Sequence, residues 1–374
     1  MRILHYLPEQ KENDLLTNYV ETLCNAMQDM AETTIVTDKT MRSLTSGTTF
    51  DIIHVHSCWH LHAAQFINRM ADKGMPVVLS PHGSLDTFTM QNEQHLTKQG
   101  KRFLYQQKAV QRAEALLATS NRELEALLKL GWNRRIGVVK SSLFDSTVPP
   151  RKMAEETLRL YRKVIDTRYR ILMTPSEERA LCILLHTGTA RDAYEQAVSA
   201  EQQQMMETLT ETQWRRMLLY ADDEGVRNTI DKAIDTHRIP APSITTSQIE
   251  RFPSAHPKSL QPLVSTLPKG KANRLMATDA PTLHSLCAML LDAKAHWKAS
   301  TLSMKHVCML FEAFRYEDFD EDRFSEVIRQ LGAKTFTSHI LSVLNAIFSL
   351  GEGFMPIPPK DGNTARDIRQ LLFH

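Results

Sequence analysis

Two short apolar runs decide the fold, Asp51-Ile52-Ile53-His54-Val55-His56 and Pro76-Val77-Val78-Leu79-Ser80. Both runs are nearly continuous in apolar and β-branched residues, and neither alternates apolar with polar positions. Continuous runs of this kind are typical of parallel strands that helices cover on both faces. Each run ends in polar residues, at His56 in the first and at Ser80-Pro81-His82-Gly83 in the second. We therefore expect two neighbouring parallel strands whose polar ends share one edge of a sheet.

The flanking sequence repeats this alternation of strand-like and helix-like segments. Further strand candidates are residues 2–7, 33–37, 115–120 and 135–140, and helical spacing of apolar residues occurs over 13–30, 59–70, 100–114 and 121–130. Short loops between strands and helices predict right-handed crossovers. The fold class is thus α/β, with a Rossmann-like parallel sheet over residues 1–150. Ligands of such sheets bind at the carboxyl ends of the strands.

The pattern changes after Pro149-Pro150. Helical segments are predicted over residues 151–165, 176–187, 190–220, 222–236, 282–299, 304–314, 322–331, 338–350 and 363–373. The best strand candidate in this half is Tyr-Arg-Ile-Leu-Met at 169–173. Residues 238–272 are rich in Pro, Ser and Thr and predict a linker. We therefore expect residues 151–374 to form a mainly α-helical C-terminal region.

Composition limits the function and the compartment. The 374 residues include 45 basic and 43 acidic side chains, for a net charge of +2, which predicts no bulk attraction to nucleic acid. Five cysteines without a CxxC pair favour reduced thiols. No signal-peptide pattern and no long apolar run is present, so a cytoplasmic location is expected. Peripheral membrane contact stays open.

The segment from Asp51 to Ser142 resembles the N-terminal, acceptor-side domain of retaining GT-B glycosyltransferases. The matching pieces follow the family's order: Asp51-Ile52-Ile53-His54-Val55-His56 with Trp59; Pro76-Val77-Val78-Leu79-Ser80-Pro81-His82-Gly83; the helical stretch 101–115; Ala118-Thr119-Ser120-Asn121-Arg122-Glu123; and Gly131 with Ile136, Val138 and Val139. The resemblance implies transfer of a sugar from a nucleotide-sugar donor to a glycan or lipid-linked acceptor, without a metal or other cofactor.

The sequence departs from that family in three places. Its glycine-rich turn after the first strand is replaced by Pro8-Glu9-Gln10-Lys11-Glu12-Asn13, and its closing Asn-Gly-x-Asp by Lys140-Ser141-Ser142-Leu143-Phe144-Asp145. The family's pair of glutamates eight residues apart, which binds the donor, is also missing; Glu312 with Asp320 is the nearest approximation. The C-terminal donor domain is therefore not recognised.

The resemblance implies specific site residues. His82 would be catalytic, donating a hydrogen bond where charge develops at the sugar or leaving group. His56, Gly83 and Trp59 would bind the substrate. For His82 the alternative is a loop histidine without a ligand, and for Trp59 it is a packing position.

Ser120 and Glu123 are two further substrate-binding candidates. They also fit the N-cap and N3 positions of a helix, where a capping box stabilises by about 1 kcal/mol and requires no ligand. The capping interpretation is favoured for both residues.

The histidines His54, His56, His60 and His62 form an H-x-H-x-x-x-H-x-H cluster with Cys58 nearby. Imidazoles at i and i+2 can share a cation, but no carboxylate at the usual ligand spacing completes the set. We expect no metal here; instead His56 would line the cleft and His54 would pack under a helix.

Two functions of different classes remain compatible with the sequence. One is a glycosyltransferase of polysaccharide assembly whose ligands are a nucleotide sugar and a glycan. The other is a non-catalytic glycosyltransferase-like protein that binds a glycan, or a protein partner through its helical region. The missing glycine-rich turn and glutamate pair favour the second, whereas the resemblance ranks the glycosyltransferase first as a description of ancestry.

Overall fold

The computed structural model describes residues 1–41, 49–86, 100–191, 197–253, 258–264 and 279–374. The chain forms two compact units. Unit 1 comprises Met1–Arg168 with Glu250–Phe252, and unit 2 comprises Tyr169–Ile249 with Pro253–His374. The sequence boundary expected near residue 150 and the structural boundary at Arg168 differ by one helix.

Unit 1 is built on a six-stranded sheet in which every neighbouring pair of strands is parallel. The strands are β1 (Arg2–Tyr6), β2 (Glu32–Val36), β3 (Ile52–Val55), β4 (Val77–Leu79), β5 (Ala115–Ala118) and β6 (Ile136–Val138), in the order β2-β1-β3-β4-β5-β6. β3 pairs with β4 through Ile53 opposite Val77 and His54 opposite Val78. The expectation that the two deciding runs are parallel neighbours is confirmed.

The helices of unit 1 cover both faces of this sheet. They are α1 (Leu15–Met27), α2 (Leu61–Asp72), α3 (Gln107–Arg112), α4 (Asn121–Leu130) and α5 (Pro150–Thr167), and one π-helical turn (Arg102–Gln106) leads into α3. The sequence explains several helix ends. Asp14 caps α1 by accepting from the backbone N–H of Thr17, and Gly131 ends α4 in the left-handed conformation.

Helix α5 belongs to unit 1 although it begins at the predicted domain boundary and extends beyond it. It packs against α1, and its buried face carries Met153, Ala154, Leu158 and Tyr161 into one core layer of the sheet. The Tyr161 hydroxyl lies 2.6 Å from Nδ1 of His54 in β3. The strand pattern ends at β6, so sequence periodicity could not show that the next helix closes the same core.

The described residues of unit 2 form helices and no strand. The helices are α6 (Tyr169–Leu172), α7 (Pro175–Thr189), α8 (Ala200–Glu207), α9 (Glu211–Asp223), α10 (Arg227–His237), α11 (Pro281–Lys298), α12 (Met304–Tyr316), α13 (Glu321–Gln330), α14 (Lys334–Phe348) and α15 (Asn363–Phe373). The expectation of a mainly α-helical C-terminal region is confirmed. None of the described helices combines the length and the apolar composition that a membrane crossing needs.

The predicted strand at residues 169–173 is wrong, because this segment is the short helix α6. Tyr169 and Met173 are buried, whereas Ile171 between them is 56% exposed. A strand would place all three side chains on one face, but a helical turn brings only positions i and i+4 together. Arg170 adds tertiary contacts to this turn through the carbonyl oxygen of Leu372 and the buried carboxylate of Glu224.

The single helix predicted over residues 190–220 is also wrong, since α8 and α9 are separate. Both begin with a capping box, Ser199 with Gln202 and Thr210 with Gln213. In the predicted linker, residues 238–253 and 258–264 are irregular apart from one 3-10 turn, Thr246–Gln248. The rest of that linker lies outside the described residues.

We predict that Tyr161→Phe lowers the free energy of unfolding of unit 1 by about 1–3 kcal/mol, because it leaves the buried Nδ1 of His54 without a partner. Tyr19→Phe is the matched control. Tyr19 is equally buried in unit 1, and its hydroxyl has no hydrogen-bond partner among the described residues, so its removal should change little. Urea unfolding measures both variants. Equal effects of the two substitutions would contradict the assigned hydrogen bond.

Candidate functional site

A cavity of about 520 Å³ lies in unit 1 at the carboxyl ends of the strands. Its walls come from the segments that follow β1, β3, β4, β5 and β6. The chain leaves β1 toward β2 on one side and returns to β3 on the other, which makes the end of this strand pair the topological switch point. A cavity of this size at a switch point is the usual position of a small-molecule site in a parallel sheet.

The structure brings five of the six candidate site residues to this cavity. The residues that line it are His56, His82, Gly83, Ser120 and Glu123. They come from three different strand ends and are separated by up to 67 positions along the chain. The sixth candidate, Trp59, does not line the cavity.

Trp59 supports the loop that carries His82. Its indole N–H donates to the carbonyl oxygen of Ser84 at 2.8 Å, and its backbone N–H donates to the Gln106 side chain at 2.6 Å. Its own carbonyl oxygen accepts from the Tyr105 hydroxyl at 2.9 Å. Through these hydrogen bonds Trp59 supports the wall of the cavity without lining it, and its role as a substrate-binding residue stays a prediction.

Three histidines form a hydrogen-bonded row from the sheet interior to the cavity. Nδ1 of His5 lies 2.9 Å from Nε2 of His56, and Nδ1 of His56 lies 3.2 Å from Nε2 of His82. His5 and His56 are fully buried, and His82 lines the cavity. The row exists because parallel pairing places β1 beside β3 and β3 beside β4.

Burial keeps these imidazoles uncharged. Desolvation lowers the pKa of His5 to about 3 and that of His82 to about 4. The pKa of His56 is also lowered well below its usual value, first by burial and then by the neighbouring histidines. At neutral pH each ring therefore carries one N–H, and the row is a chain of neutral donors and acceptors.

The row also selects a tautomer for His82. Nε2 of His5 is buried without a partner among the described residues, and an unsatisfied lone pair is tolerated better there than an unsatisfied N–H. His5 then carries its proton on Nδ1 and donates to His56, which donates in turn to Nε2 of His82. The N–H of His82 is thereby assigned to Nδ1, so this neutral ring keeps one donor that the row does not use.

His54 lies beside the row but is engaged elsewhere. Its Nδ1 pairs with the Tyr161 hydroxyl at 2.6 Å, and its Nε2 pairs with Oγ of Ser80 at 2.7 Å. Both ring nitrogens of His54 and both of His56 are therefore hydrogen-bonded, so neither ring offers a free lone pair to a metal. Of the four clustered histidines, His60 and His62 stand apart from this buried pair.

Backbone strain concentrates at the same edge of the sheet. Among the described residues of unit 1, the non-glycine residues with positive φ are Asn13 (61°), Trp59 (64°) and His82 (50°). Each follows the carboxyl end of a strand, β1, β3 or β4. Non-glycine residues adopt this conformation rarely, and such outliers cluster at functional sites. Of these three residues His82 lines the cavity, and Asn13 directly precedes the lining residue Asp14.

Glu123 holds the His82 loop in place. One carboxylate oxygen accepts from the backbone N–H of Gly83 at 2.7 Å, and the other accepts from the backbone N–H and the hydroxyl of Thr119 at 2.7 and 2.8 Å. Ser120 caps α4 by accepting from the backbone N–H of Glu123. Half of the expected capping box is thus present, but the carboxylate reaches Thr119 and Gly83, and not the N-cap residue itself.

Other residues of the cavity were not found by sequence reasoning. Asp14, Tyr19, Cys58, Arg122 and Phe144 all line it. Tyr19 packs edge-on against His82 with ring centroids 4.8 Å apart, and Phe144 is 68% exposed. Burial raises the pKa of Cys58 to about 12, which makes its thiol unreactive. The order in which strands lie in the sheet brings these positions together, and sequence spacing carries no signal of that order.

The described residues that line the cavity carry a negative net charge. They include the carboxylates of Asp14, Asp86 and Glu123 and, as their one cationic side chain, Arg122. Arg122 pairs with Asp86 at 3.5 Å, and the Asp14 carboxylate occupies the N-terminus of α1. Helix N-termini are common phosphate sites in this type of fold. Here the one at α1 already faces an acid, so the cavity favours an uncharged polar ligand.

We predict that the free energy of unfolding falls as the pH decreases from about 6.5 to about 4. Unfolded imidazoles gain protons over this range while the buried ones stay neutral, so acid shifts the equilibrium to the unfolded chain. Above pH 7 these imidazoles are neutral in both the folded and the unfolded chain, so they should not make the free energy of unfolding depend on pH. His82→Gly, which suits the positive φ at this position, should reduce the proton uptake on unfolding by about one. Urea unfolding across this pH range tests both statements. If the free energy of unfolding depends on pH as steeply in His82→Gly as in the wild type, the lowered pKa of His82 is contradicted.

We predict that Glu123→Gln lowers the free energy of unfolding by about 1.5–3 kcal/mol, because an amide cannot accept with both ends from Gly83 and Thr119. The amide proton of Gly83 should also exchange faster with solvent. Glu125→Gln on the exposed side of the same helix is the control and should change neither quantity. If the Gly83 amide exchanges at the same rate in both variants, the hydrogen bond from Gly83 to Glu123 does not hold the loop.

Comparison with known proteins adds one finding. Residues 34–141 match the family model for Glycosyltransferase Family 4. No curated protein sequence and no solved structure is significantly similar to the chain. The matched segment is less than a third of the chain, but it contains His56, His82, Gly83, Ser120 and Glu123. Over that segment, unit 1 is similar to the N-terminal domain of a GT-B-type glycosyltransferase.

Proposed function

We propose that the protein is a glycosyltransferase that transfers a sugar from a nucleotide-sugar donor to a glycan or lipid-linked acceptor in polysaccharide assembly, with retention of configuration. The observation that carries the proposal is the cavity at the switch point. It gathers His56, His82 and Gly83 inside the segment that matches a glycosyltransferase family.

The acceptor is proposed to bind in this cavity. Neutral imidazoles and the oxygen lone pairs of serine and threonine hydroxyls suit the hydroxyl groups of a sugar, which both donate and accept hydrogen bonds. Tyr19 and Phe144 add aromatic surface at the wall, against which a sugar ring can pack. The excess of carboxylates favours a neutral acceptor over a phosphate at this place.

His82 is proposed to be the catalytic residue. Its imidazole is neutral, its N–H is directed by the row from His5 and His56, and its loop is held by Glu123 and Trp59. A positioned neutral donor stabilises negative charge that develops on a nearby oxygen, and it requires little reorganisation during the reaction. Within this proposal, His5 and His56 act through His82 and are positioning residues.

A second candidate function is a non-catalytic glycan-binding protein that kept the acceptor-side fold. Two observations favour it. Residues 8–13 contain no glycine, so the turn after β1 lacks the residues that allow close approach to a diphosphate. The described residues of unit 2 contain no parallel sheet that could supply a second Rossmann domain.

Nucleotide binding separates the two candidates. A ligand that binds only the native state raises its stability by RT ln(1 + [L]/Kd). We expect a thermal shift of the full chain with at least one of UDP, GDP or their sugar conjugates at millimolar concentration. No shift with any of them, together with a shift from an oligosaccharide, would favour the non-catalytic candidate.

For an active donor and acceptor pair, we predict that His82→Gly lowers the transfer rate by about 10²-fold or more while nucleotide binding stays unchanged. His374→Ala, which removes a half-exposed histidine of unit 2, is the control and should transfer at the wild-type rate. A His82→Gly variant with full transfer activity would remove His82 from the mechanism.

A further inference from the structure

A second group of polar side chains lies at the same edge of unit 1 but does not line the cavity. Asp38 follows β2, His60 is the N-cap residue of α2, and His62 lies in the first turn of α2. Oδ2 of Asp38 lies 3.0 Å from Nδ1 of His62 and 3.9 Å from Nε2 of His60. All three ligand atoms lie within 4.8 Å of one another.

These separations suit a tetrahedral metal ion. With metal–ligand bonds of 2.0–2.1 Å, two ligand atoms of a tetrahedral zinc ion lie about 3.3 Å apart. The two separations from Asp38 lie on either side of that value, and His62 is 64% exposed in its side chain, which leaves it room to adjust. Two imidazoles and one carboxylate are a ligand set that zinc uses when a further position stays open to water.

The carboxylate is held by a buried partner. The Tyr6 hydroxyl donates to Oδ1 of Asp38, which leaves Oδ2 directed at the two histidines. Tyr6 is fully buried in β1 and stacks on Phe66 of α2 with ring centroids 4.9 Å apart. Such a second partner fixes the orientation of a ligating carboxylate and raises metal affinity.

The protons and charges of the group are compatible with a cation. Nδ1 of His62 shares a hydrogen with Asp38, and moving that hydrogen to the exposed side of the ring frees Nδ1 as a ligand. Ligation through Nε2 of His60, the atom that lies toward Asp38, places the ring proton on Nδ1, which is buried without a partner among the described residues, so this ligand binds at a cost in free energy. The positive end of the helix dipole at the N-terminus of α2 repels a cation, and the negative charge of Asp38 offsets this repulsion.

We propose that Asp38, His60 and His62 form a binding site for a divalent transition metal ion, with Zn²⁺ as the fitting species. The ion would join the segment after β2 to the start of α2. The site is independent of the proposed transferase function, since none of its ligands lines the cavity. Another histidine group in unit 2, Asp292 with His296 and His306, is less suitable. The Ser303 backbone N–H donates to His306 there, and His296 donates to the Gln261 carbonyl oxygen.

The test is titration of the full chain with Zn²⁺ by calorimetry and with Co²⁺ by visible absorption. We expect one saturable ion per chain, the intense absorption bands of tetrahedral cobalt, and a higher melting temperature with Zn²⁺. Asp38→Asn and His62→Ala should each weaken binding at least ten-fold. Asp72→Asn, at the other end of α2, is the matched control and should bind as the wild type does.

A fourth variant tests the buried partner of the carboxylate. Tyr6→Phe leaves every ligand in place but removes the hydrogen bond to Asp38, so metal affinity should fall by about ten-fold. Circular dichroism checks that each variant is folded, and the cobalt spectrum reports the site directly. Equal metal affinity in the wild type, Asp38→Asn and His62→Ala would place any bound ion elsewhere and overturn the proposal. The absence of any saturable binding to the wild type would do the same.

Discussion

Desolvation of the sheet is the constraint on which the organisation of unit 1 depends. Helices cover both faces, so a polar side chain within a strand has no access to water and must find a partner inside the protein. β3 carries His54 at a fully buried position, and its neighbour β1 carries the fully buried His5. His54 pairs with Tyr161 of α5, and His5 pairs with His56, which directly follows β3. The same requirement that keeps these imidazoles neutral therefore links β1, β3, the β4 loop and α5.

Much of unit 1 could be predicted from the sequence because parallel strands have a strong local signature. DIIHVH and PVVLS are continuous apolar runs of strand length, and each is followed by a helical repeat. Their ends had to meet, because parallel strands present their carboxyl ends at one edge. The polar residues after them, His56 and His82, could therefore be placed at one cavity from the sequence alone.

The signals in the helical half were weaker. Residues 169–173 resembled a strand because five residues are too few to distinguish the two-residue repeat of a strand from the 3.6-residue repeat of a helix. The tertiary contacts of Arg170 stabilise this segment as a helix. The division between α8 and α9 did have a sequence signature. Ser199 and Thr210 each precede a glutamine by three residues, which is the pattern of a capping box. The apolar periodicity that continues through both helices outweighed that short pattern.

In the candidate site, the sequence could place the residues that directly follow strands, but not those whose position depends on the order of strands in the sheet. β2 lies at the edge of the sheet, next to β1 and not next to β3. Nothing in the spacing of Asp38 shows that it faces the histidines that begin α2. The sequence therefore predicted no metal at the H-x-H-x-x-x-H-x-H pattern, because it could not show that a carboxylate lies beside His60 and His62. Tyr161 was missed for a similar reason, since it approaches His54 from a helix 107 positions away.

The helix N-termini at the cavity are already occupied by acceptors of the protein itself. In a parallel sheet the N-terminus of a helix after a strand offers unpaired N–H groups and a partial positive charge to an anion. At α1 the Asp14 carboxylate accepts one of those groups, and at α4 the hydroxyl of Ser120 does so. After Asp14 at α1, Glu123 is the second carboxylate at these helix ends; it lies in the first turn of α4 and accepts from the backbone N–H of Gly83. An incoming phosphate would have to displace these internal acceptors and lie beside their charges. A sugar hydroxyl meets no such repulsion, so the chemistry of the cavity favours the proposed sugar acceptor over a phosphate.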